Sequence, residues 1–267
     1  MTRATAAFCL GTVLLALGGC ASQPTAGGNT TTVDAISTPS EETDQRRRAR
    51  IRLELAVGYF EEGKTEVALD ELRQVIAIDP NYADAYVLRG LINMRVGDNR
   101  AAEDSFRRAL QLNPRDANAH HNLGWLQCQL GCYDEAFRSF DQAMVSPLYA
   151  ERAKTLMALG VCQARAGRNA DAEKTLARSL ELDAGNPVTG YNLARLLYMR
   201  GEYERARFYI RRLNNSELAN SESLWLGMRV ERRLNDRQAV QQLGEQLRKR
   251  FPQSKERAAY DRGAFDE

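Results

Sequence analysis

Residues 83–116 read ADAYVLRGLINMRVGDNRAAEDSFRRALQLNPRD, and this 34-residue pattern decides the fold. The small residue Gly90 is followed seven positions later by Gly97, and Ala102 comes five residues after that. Glycine readily adopts a positive φ and so ends a helix and turns the chain, whereas Pro114 moves the residue before it out of the helical conformation. The stretch therefore predicts two antiparallel helices that cross where their side chains are small.

The same pattern repeats along the chain at a nearly constant spacing. Gaps of 34, 34, 36, 34 and 34 residues separate the turn residues Gly63, Gly97, Gly131, Gly167, Gly201 and Asn235. A period of this length is typical of stacked helical hairpins, each of which buries its apolar face against its neighbours. The pattern resembles the tetratricopeptide repeat, which implies an all-α, right-handed superhelical solenoid of six helix-turn-helix repeats.

The repeat domain is predicted to span 46–254, with a C-terminal cap or tail at 255–267. Its six units are assigned to 49–82, 83–116, 117–152, 153–186, 187–220 and 221–254. The third unit has two extra residues near Pro147, so we expect a longer turn there. The sixth unit departs most from the pattern, as expected of a terminal repeat.

The first twenty residues differ in composition from the rest of the chain. Arg3 precedes 17 uncharged residues that end in Leu17-Gly18-Gly19-Cys20. This run is shorter than the roughly 20 residues that span a bilayer, and its parts are those of a secretory signal. The ending resembles the bacterial lipobox, which implies a signal peptide at 1–19 and a lipid-modified Cys20. An uncleaved anchor helix and a secreted protein cleaved elsewhere are the alternatives.

Residues 20–45 are predicted to be the lipidated cysteine and a flexible tether, because they are rich in Thr, Ser, Gly and Pro and lack an apolar period. In lipoproteins of this kind an Asp directly after the cysteine favours the inner membrane, whereas Ala21 and Ser22 stand here. The resemblance therefore implies a palmitate-bearing lipoprotein on the periplasmic face of the outer membrane.

Charge and motif content disfavour several classes of function. The 37 Lys and Arg residues nearly balance 35 Asp and Glu residues, so the composition does not predict nucleic-acid binding. The two histidines, His120 and His121, are adjacent and point about 100° apart on a helix, which does not suit a shared metal ion. No nucleophile elbow, phosphate-binding loop or paired-carboxylate motif is present. We predict a protein that is not an enzyme, with no metal, no cofactor beyond the lipid and no small-molecule substrate.

Three cysteines lie within the repeats: Cys128, Cys132 and Cys162. The periplasm is oxidising and permits disulfides. Since Cys128 and Cys162 fall on neighbouring first helices, we predict a bridge between them and an unpaired Cys132. Buried free thiols are the alternative.

The tetratricopeptide resemblance implies a concave face lined by positions 5, 9 and 12 of each first helix. Apolar residues at these positions in the first three repeats form the predicted partner-binding groove: Leu53, Val57, Phe60, Val87, Leu91, Met94 and Trp125. The sixth repeat has Trp225, Arg229 and Arg232 there, so the face grades from apolar to aromatic and basic. Such a groove suits an amphipathic helix or a short peptide. Cover by superhelical packing or by the chain's own tail is the alternative.

A narrower resemblance is carried by residues 122–128, 159–162, 191–194 and 223–227. With the lipobox and six repeats, they make the chain similar to the type IV pilus biogenesis lipoproteins, the outer-membrane pilotins. That family implies an adaptor that binds the pilus secretin subunit and promotes its outer-membrane localisation and multimerisation, hence pilus biogenesis and twitching motility. The alternative is another outer-membrane repeat lipoprotein that scaffolds cell-wall hydrolases or envelope assembly factors.

Overall fold

The computed structural model describes residues 43–265, and within that range the chain forms thirteen α-helices and no strand. The predicted signal peptide, Cys20 and nearly all of the tether lie outside the described residues. The helices are α1 Asp44–Glu61, α2 Thr65–Ile78, α3 Ala83–Val96, α4 Asn99–Leu112, α5 Ala117–Gln129, α6 Tyr133–Ala143, α7 Arg152–Arg165, α8 Asn169–Leu182, α9 Pro187–Met199, α10 Tyr203–Asn214, α11 Ser221–Arg233, α12 Arg237–Arg250 and α13 Lys255–Asp261. None of these helices combines the length and the apolar character needed to cross a membrane.

Consecutive helices pack as six hairpins, from α1 with α2 to α11 with α12. Each hairpin also contacts the next one in two ways: its second helix packs on the first helix of the next repeat, and the first helices of the two repeats contact each other. The predicted all-α solenoid of six helix-turn-helix repeats is confirmed.

The turn inside each hairpin depends on a residue with positive φ. Gly97 has φ 85°, and the equivalent glycines of the other repeats have φ between 76° and 80°. In the sixth repeat Asn235 takes this conformation with φ 61°, and it is the one non-glycine residue between 43 and 265 that does so. Asparagine tolerates this region better than most side chains, which explains why it can replace glycine here.

A glycine on the first helix makes room for a large side chain on the second. A Cβ at Gly90 would overlap the ring of the fully buried Phe106, and one at Gly160 would come within 2.7 Å of Leu176 Cγ. The large residue follows sixteen positions after the glycine in both repeats. Gly244 and Tyr260 repeat this spacing between α12 and α13, so α13 docks on α12 through the same kind of contact.

The longer turn expected in the third repeat connects α6 to α7 over residues 144–151. Arg152 donates from Nη2 to the carbonyl oxygens of Met144 (3.0 Å) and Ser146 (2.8 Å), which fixes the turn. The Tyr149 and Thr155 hydroxyls share a hydrogen bond of 3.1 Å, and Thr155 Oγ1 lies 2.8 Å from Nδ1 of His121. Thr155 can donate to a neutral imidazole while accepting from tyrosine.

A disulfide joins Cys128 of α5 to Cys162 of α7, with 5.8 Å between the Cα atoms. Both cysteines are buried in a cluster that includes Phe140 and Leu159, whereas Cys132 is an exposed free thiol. The bridge therefore ties the first helices of the third and fourth repeats together beneath the surface.

Reduction of this bond is expected to lower the free energy of unfolding by up to about 4 kcal/mol, because the crosslink closes a 34-residue loop and restricts the unfolded chain. Urea unfolding with and without dithiothreitol measures the change, and mass spectrometry of an unreduced digest identifies the crosslinked peptide. Cys132→Ser is the control, since removing an exposed thiol should leave both results unchanged. An unreduced digest that lacks the Cys128–Cys162 peptide would contradict the bridge.

The buried imidazole of His121 should make stability depend on pH. Burial, with a smaller effect from the Lys154 ammonium, lowers the His121 pKa from 6.5 to about 4. The unfolded chain therefore binds more protons than the folded chain between these values, and stability falls as the pH falls through this window. From pH 7 to pH 5 we expect His121 to account for a loss of about 2 kcal/mol in the free energy of unfolding.

The matched variant is His121→Asn, which does not titrate and keeps a polar atom near the place of Nδ1. Urea unfolding of both proteins at pH 7 and pH 5 should show the larger loss in the parent. Equal losses in the two proteins would mean that His121 is not the group responsible.

Candidate partner-binding face

One face of the solenoid is built from the first helices of the six repeats. Each of these helices contacts the next, from α1 and α3 to α9 and α11, so they lie side by side. Positions 5, 9 and 12 of each repeat fall on one side of these helices, because spacings of three and four residues keep side chains on one helix face. This concave face is apolar at one end and aromatic and basic at the other.

The apolar end, named here the N-terminal groove, consists of Val57, Phe60, Val87, Leu91, Met94 and Trp125. Val57 is 38% exposed, and the other five are half-buried. Val87, Leu91 and Met94 are brought together on one buried cluster that contains Phe106 and Leu126. The cluster supports them from beneath, so their outer sides form a continuous apolar surface on a rigid base.

Leu53, which the sequence assigns to the same groove, lies deeper. It is only 9% exposed and packs in the core of the first repeat with Ala56, Leu72 and Leu88. Helix α1 is apolar over a wide arc, and Leu53 falls on the part of that arc that faces α2 and α3. It therefore stabilises the first repeat and does not form open groove surface.

Arginines border the groove through their contacts with its aromatic rings. The Arg95 guanidinium lies 5.0 Å from the centre of the Phe60 ring, and Arg165 lies 5.3 Å from that of Trp125. Cation–π contacts at exposed sites contribute about 0.5–1 kcal/mol each. They fix the orientation of the two rings without covering the aliphatic side chains between them.

In the centre of the face buried and half-buried side chains alternate. His121, Cys128 and Val161 of the third and fourth repeats are buried, whereas Trp125, Met157 and Ala164 are half-buried. Less apolar surface is therefore accessible in the centre than these positions suggest from the sequence.

The other end contains a cavity of about 610 Å³, named here the C-terminal pocket. It lies between α9 and α11 on one side and α13 on the other, and its lining includes Tyr191, Arg195, Tyr198, Trp225, Arg229 and Glu256. The Arg229 guanidinium lies 5.0 Å from the centre of the Tyr198 ring. Burial is the main cause that raises the pKa of Tyr191, so its hydroxyl stays protonated and available as a donor at neutral pH.

The C-terminal tail forms the outer wall of this pocket. The rings of Phe265 and Trp225 are stacked, with centres 5.0 Å apart and planes at 24°. Helix α13 contacts α11 and α12 and no other described helix. Within residues 43–265 the tail therefore leaves the N-terminal groove uncovered.

The sequence predicted a cap or tail at 255–267, and α13 lies within that range. The contact between Phe265 and Trp225 was not predicted, because Phe265 follows the last repeat and belongs to no repeat position. The sixteen-residue interval between Gly244 and Tyr260 was a further signal for the packing of α13 on α12, because it equals the interval that separates Gly90 from Phe106.

The described residues include no group of three or more His, Cys, Asp or Glu side chains arranged to hold a metal ion. The two adjacent histidines have different partners, because His120 Nε2 lies 3.0 Å from the carbonyl oxygen of Pro114 and His121 contacts Thr155.

Comparison with known families agrees with the helical hairpins. Models described as TPR repeat or tetratricopeptide repeat match residues 58–97, 83–116, 105–138 and 163–223. The matched ranges include residues of the N-terminal groove, of the centre of the face and of the C-terminal pocket.

Individual relatives identify the family more specifically than the repeat models do. The type IV pilus assembly protein PilF of Pseudomonas aeruginosa is 32% identical over 213 residues, which cover 80% of this chain and 84% of the relative. The crystal structure of PilW, described as a widely conserved type IV pilus biogenesis factor, superposes with a TM-score of 0.75 at 28% identity and covers 80% of this chain and 98% of its own. A solved structure of P. aeruginosa PilF gives a TM-score of 0.74 at 28% identity, over 83% of this chain and 100% of its own. The chain therefore belongs to the family of tetratricopeptide-repeat proteins of the type IV pilus that includes PilF.

Proposed function

We propose that this chain is an outer-membrane lipoprotein adaptor of type IV pilus biogenesis. The lipid on Cys20 anchors it, and the N-terminal groove binds the pilus secretin subunit and promotes the localisation and multimerisation of that subunit, on which twitching motility depends. The observation that carries the proposal is the identity of 32% to PilF over 80% of the chain. As in scaffolds of this repeat class, the protein supplies binding energy and position, and no chemical step.

The groove supports this role because it presents apolar side chains that the fold itself leaves unburied. Burying a fully exposed side chain of this kind contributes roughly 1.5–3 kcal/mol, and the contribution of each groove side chain is smaller because it is already partly buried. Val57, Phe60, Leu91 and Met94 belong to two adjacent first helices, α1 and α3, so an apolar helix face or an extended segment could contact all four.

The basic start of α1 fits a solvated helix better than a lipid-binding patch. Arg46 pairs with Asp79 at 2.8 Å, Arg50 with Glu54 at 2.8 Å, and Arg52 with Glu71 at 2.7 Å. These partners largely neutralise the positive run, so membrane attachment in this proposal rests on the lipid. The tether predicted from the sequence, about 24 residues long, would as a flexible chain have a root-mean-square span of roughly 27 Å.

Val57→Asp tests the groove. Placing a carboxylate in an apolar interface should weaken secretin binding at least about tenfold, as measured by titrating purified variant with labelled secretin. Val67→Asp is the matched control, because Val67 is 41% exposed, compared with 38% for Val57, and lies on α2 of the same repeat. Circular dichroism should be the same for both variants. Equal binding by the two variants would exclude the groove as the secretin site.

Cys20→Ser tests the anchor. The variant should lose incorporation of a palmitate analogue and move from the outer-membrane to the soluble periplasmic fraction, because it lacks the lipid acceptor. Cys132→Ser, which removes the exposed thiol of the repeats, should remain labelled. Cells that carry Cys20→Ser should also lose multimeric secretin from the outer membrane. Labelled Cys20→Ser protein, or normal secretin multimers beside it, would contradict this part of the proposal.

A further inference from the structure

The C-terminal pocket differs in chemistry from the N-terminal groove and is not used by the function proposed above. Its cavity of about 610 Å³ is large enough for several side chains of a peptide. The groove lies on α1, α3 and α5, whereas the pocket lies on α9, α11 and α13. Helix α7 of the fourth repeat lies between them.

Two arginines in the pocket lack acidic partners. Arg195 makes no hydrogen bond or ion pair with any residue between 43 and 265. Arg229 has a buried Nε with no acceptor, and its guanidinium rests on the Tyr198 ring. A buried donor without an acceptor has lost its hydration without a compensating hydrogen bond. Arg229 lines the pocket, so its guanidinium group is placed to meet an anionic ligand there.

Some arginines elsewhere in the same repeats do have acidic partners. Arg205 binds Glu173 at 2.6 Å, and Arg211 binds the buried Glu231 at 2.6 Å. The fold thus has acidic side chains available in this region and places none of them against Arg195 or Arg229.

The remaining charges leave the pocket positive. Arg195, Arg229 and Lys255 line it against the two carboxylates of Glu222 and Glu256, and Arg262, which takes part in another interaction, also lines it. Glu256 is buried and lies 3.7 Å from Lys255 Nζ, while Glu222 is exposed at the rim. Even without Arg262, the cations outnumber the carboxylates, which favours an anionic ligand.

Aromatic rings provide the second part of the recognition surface. Trp225 is held in place by its stack on Phe265, and Tyr198 by Arg229. Rings fixed in this way offer flat apolar area at low entropic cost, and the Tyr191 hydroxyl adds one more donor. Guanidinium groups beside aromatic faces match a carboxylate that is close to an apolar side chain.

We infer that the C-terminal pocket is a second peptide-binding site, which takes an acidic segment of a partner protein. Carboxylates of the segment pair with Arg195 and Arg229, and an apolar or aromatic side chain packs against Trp225. Helix α13 closes the outer side of the bound segment. The two ends of one face then bind two chemically different segments.

The test uses two fluorescein-labelled peptides of about ten residues in a Gly/Ser background. One carries two adjacent glutamates followed by a phenylalanine, and the other has lysines in place of the glutamates. Fluorescence anisotropy with the full chain in detergent should show binding of the acidic peptide at least about tenfold tighter than that of the basic one. Added salt should weaken it.

Variants locate the site. Arg195→Glu should weaken binding of the acidic peptide at least about tenfold, and Arg229→Gln should also weaken its binding. The matched control is Arg178→Glu, because Arg178 is exposed on α8 and also has no acidic partner among the described residues. It and Val57→Asp should stay within about twofold of the parent.

Several results would overturn the inference. Equal binding of the two peptides would show that the carboxylates do not contribute to recognition. An equal loss of affinity in Arg195→Glu and Arg178→Glu would show that overall charge, and not the pocket, causes the effect. A loss in Val57→Asp alone would place the peptide in the N-terminal groove. The secretin titration uses a different ligand, and it is decided by Val57→Asp, whereas the peptide experiment is decided by Arg195→Glu, so either proposal can fail without the other.

Discussion

The contact on which the structure depends is the fit of a large side chain into the space above a glycine. In the second repeat Phe106 fills the position that a Cβ on Gly90 would occupy, and Leu176 and Gly160 do the same in the fourth. Close packing lets the two helices of a hairpin approach until the ring touches backbone. A side chain at the glycine would push the helices apart, and the stacking of every later repeat would shift with them.

This constraint also determines which residues remain for binding. The hairpin core and the stacking surfaces use most of the apolar side chains of the first helices, as Leu53 illustrates by lying in the core. The side chains that remain on the concave face are those at positions that neither the hairpin core nor the stacking of repeats uses. In the early repeats these positions are apolar, and in the last two they are aromatic or basic. One scaffold thus carries two unlike surfaces at fixed positions, because each repeat contributes its own side chains to a common geometry.

Much of the fold could be predicted from the sequence, since the 34-residue spacing encodes the turns and the hairpin contacts directly. Asn235 was identified as a turn residue from its place in the series, and its φ of 61° agrees. The depth of a side chain was harder to predict. Leu53 and Val57 are both apolar and four residues apart on α1, yet one is core and the other is surface, because Leu53 belongs to the cluster that α1 forms with α2 and α3 and Val57 does not. The stacking of Phe265 on Trp225 is a contact outside the repeat pattern, so no period could reveal it.

Helix α13 has a consequence for the length of the solenoid. It lies against α11 and α12, with Tyr260 seated at Gly244 in the manner of an internal hairpin contact. A stacked array normally presents an unsatisfied apolar end, on which another unit of the same kind could add. Here a seven-residue helix occupies that end. A heterologous contact that does not close can extend head to tail into a filament. At this end of the solenoid, a segment of the chain itself therefore blocks such growth.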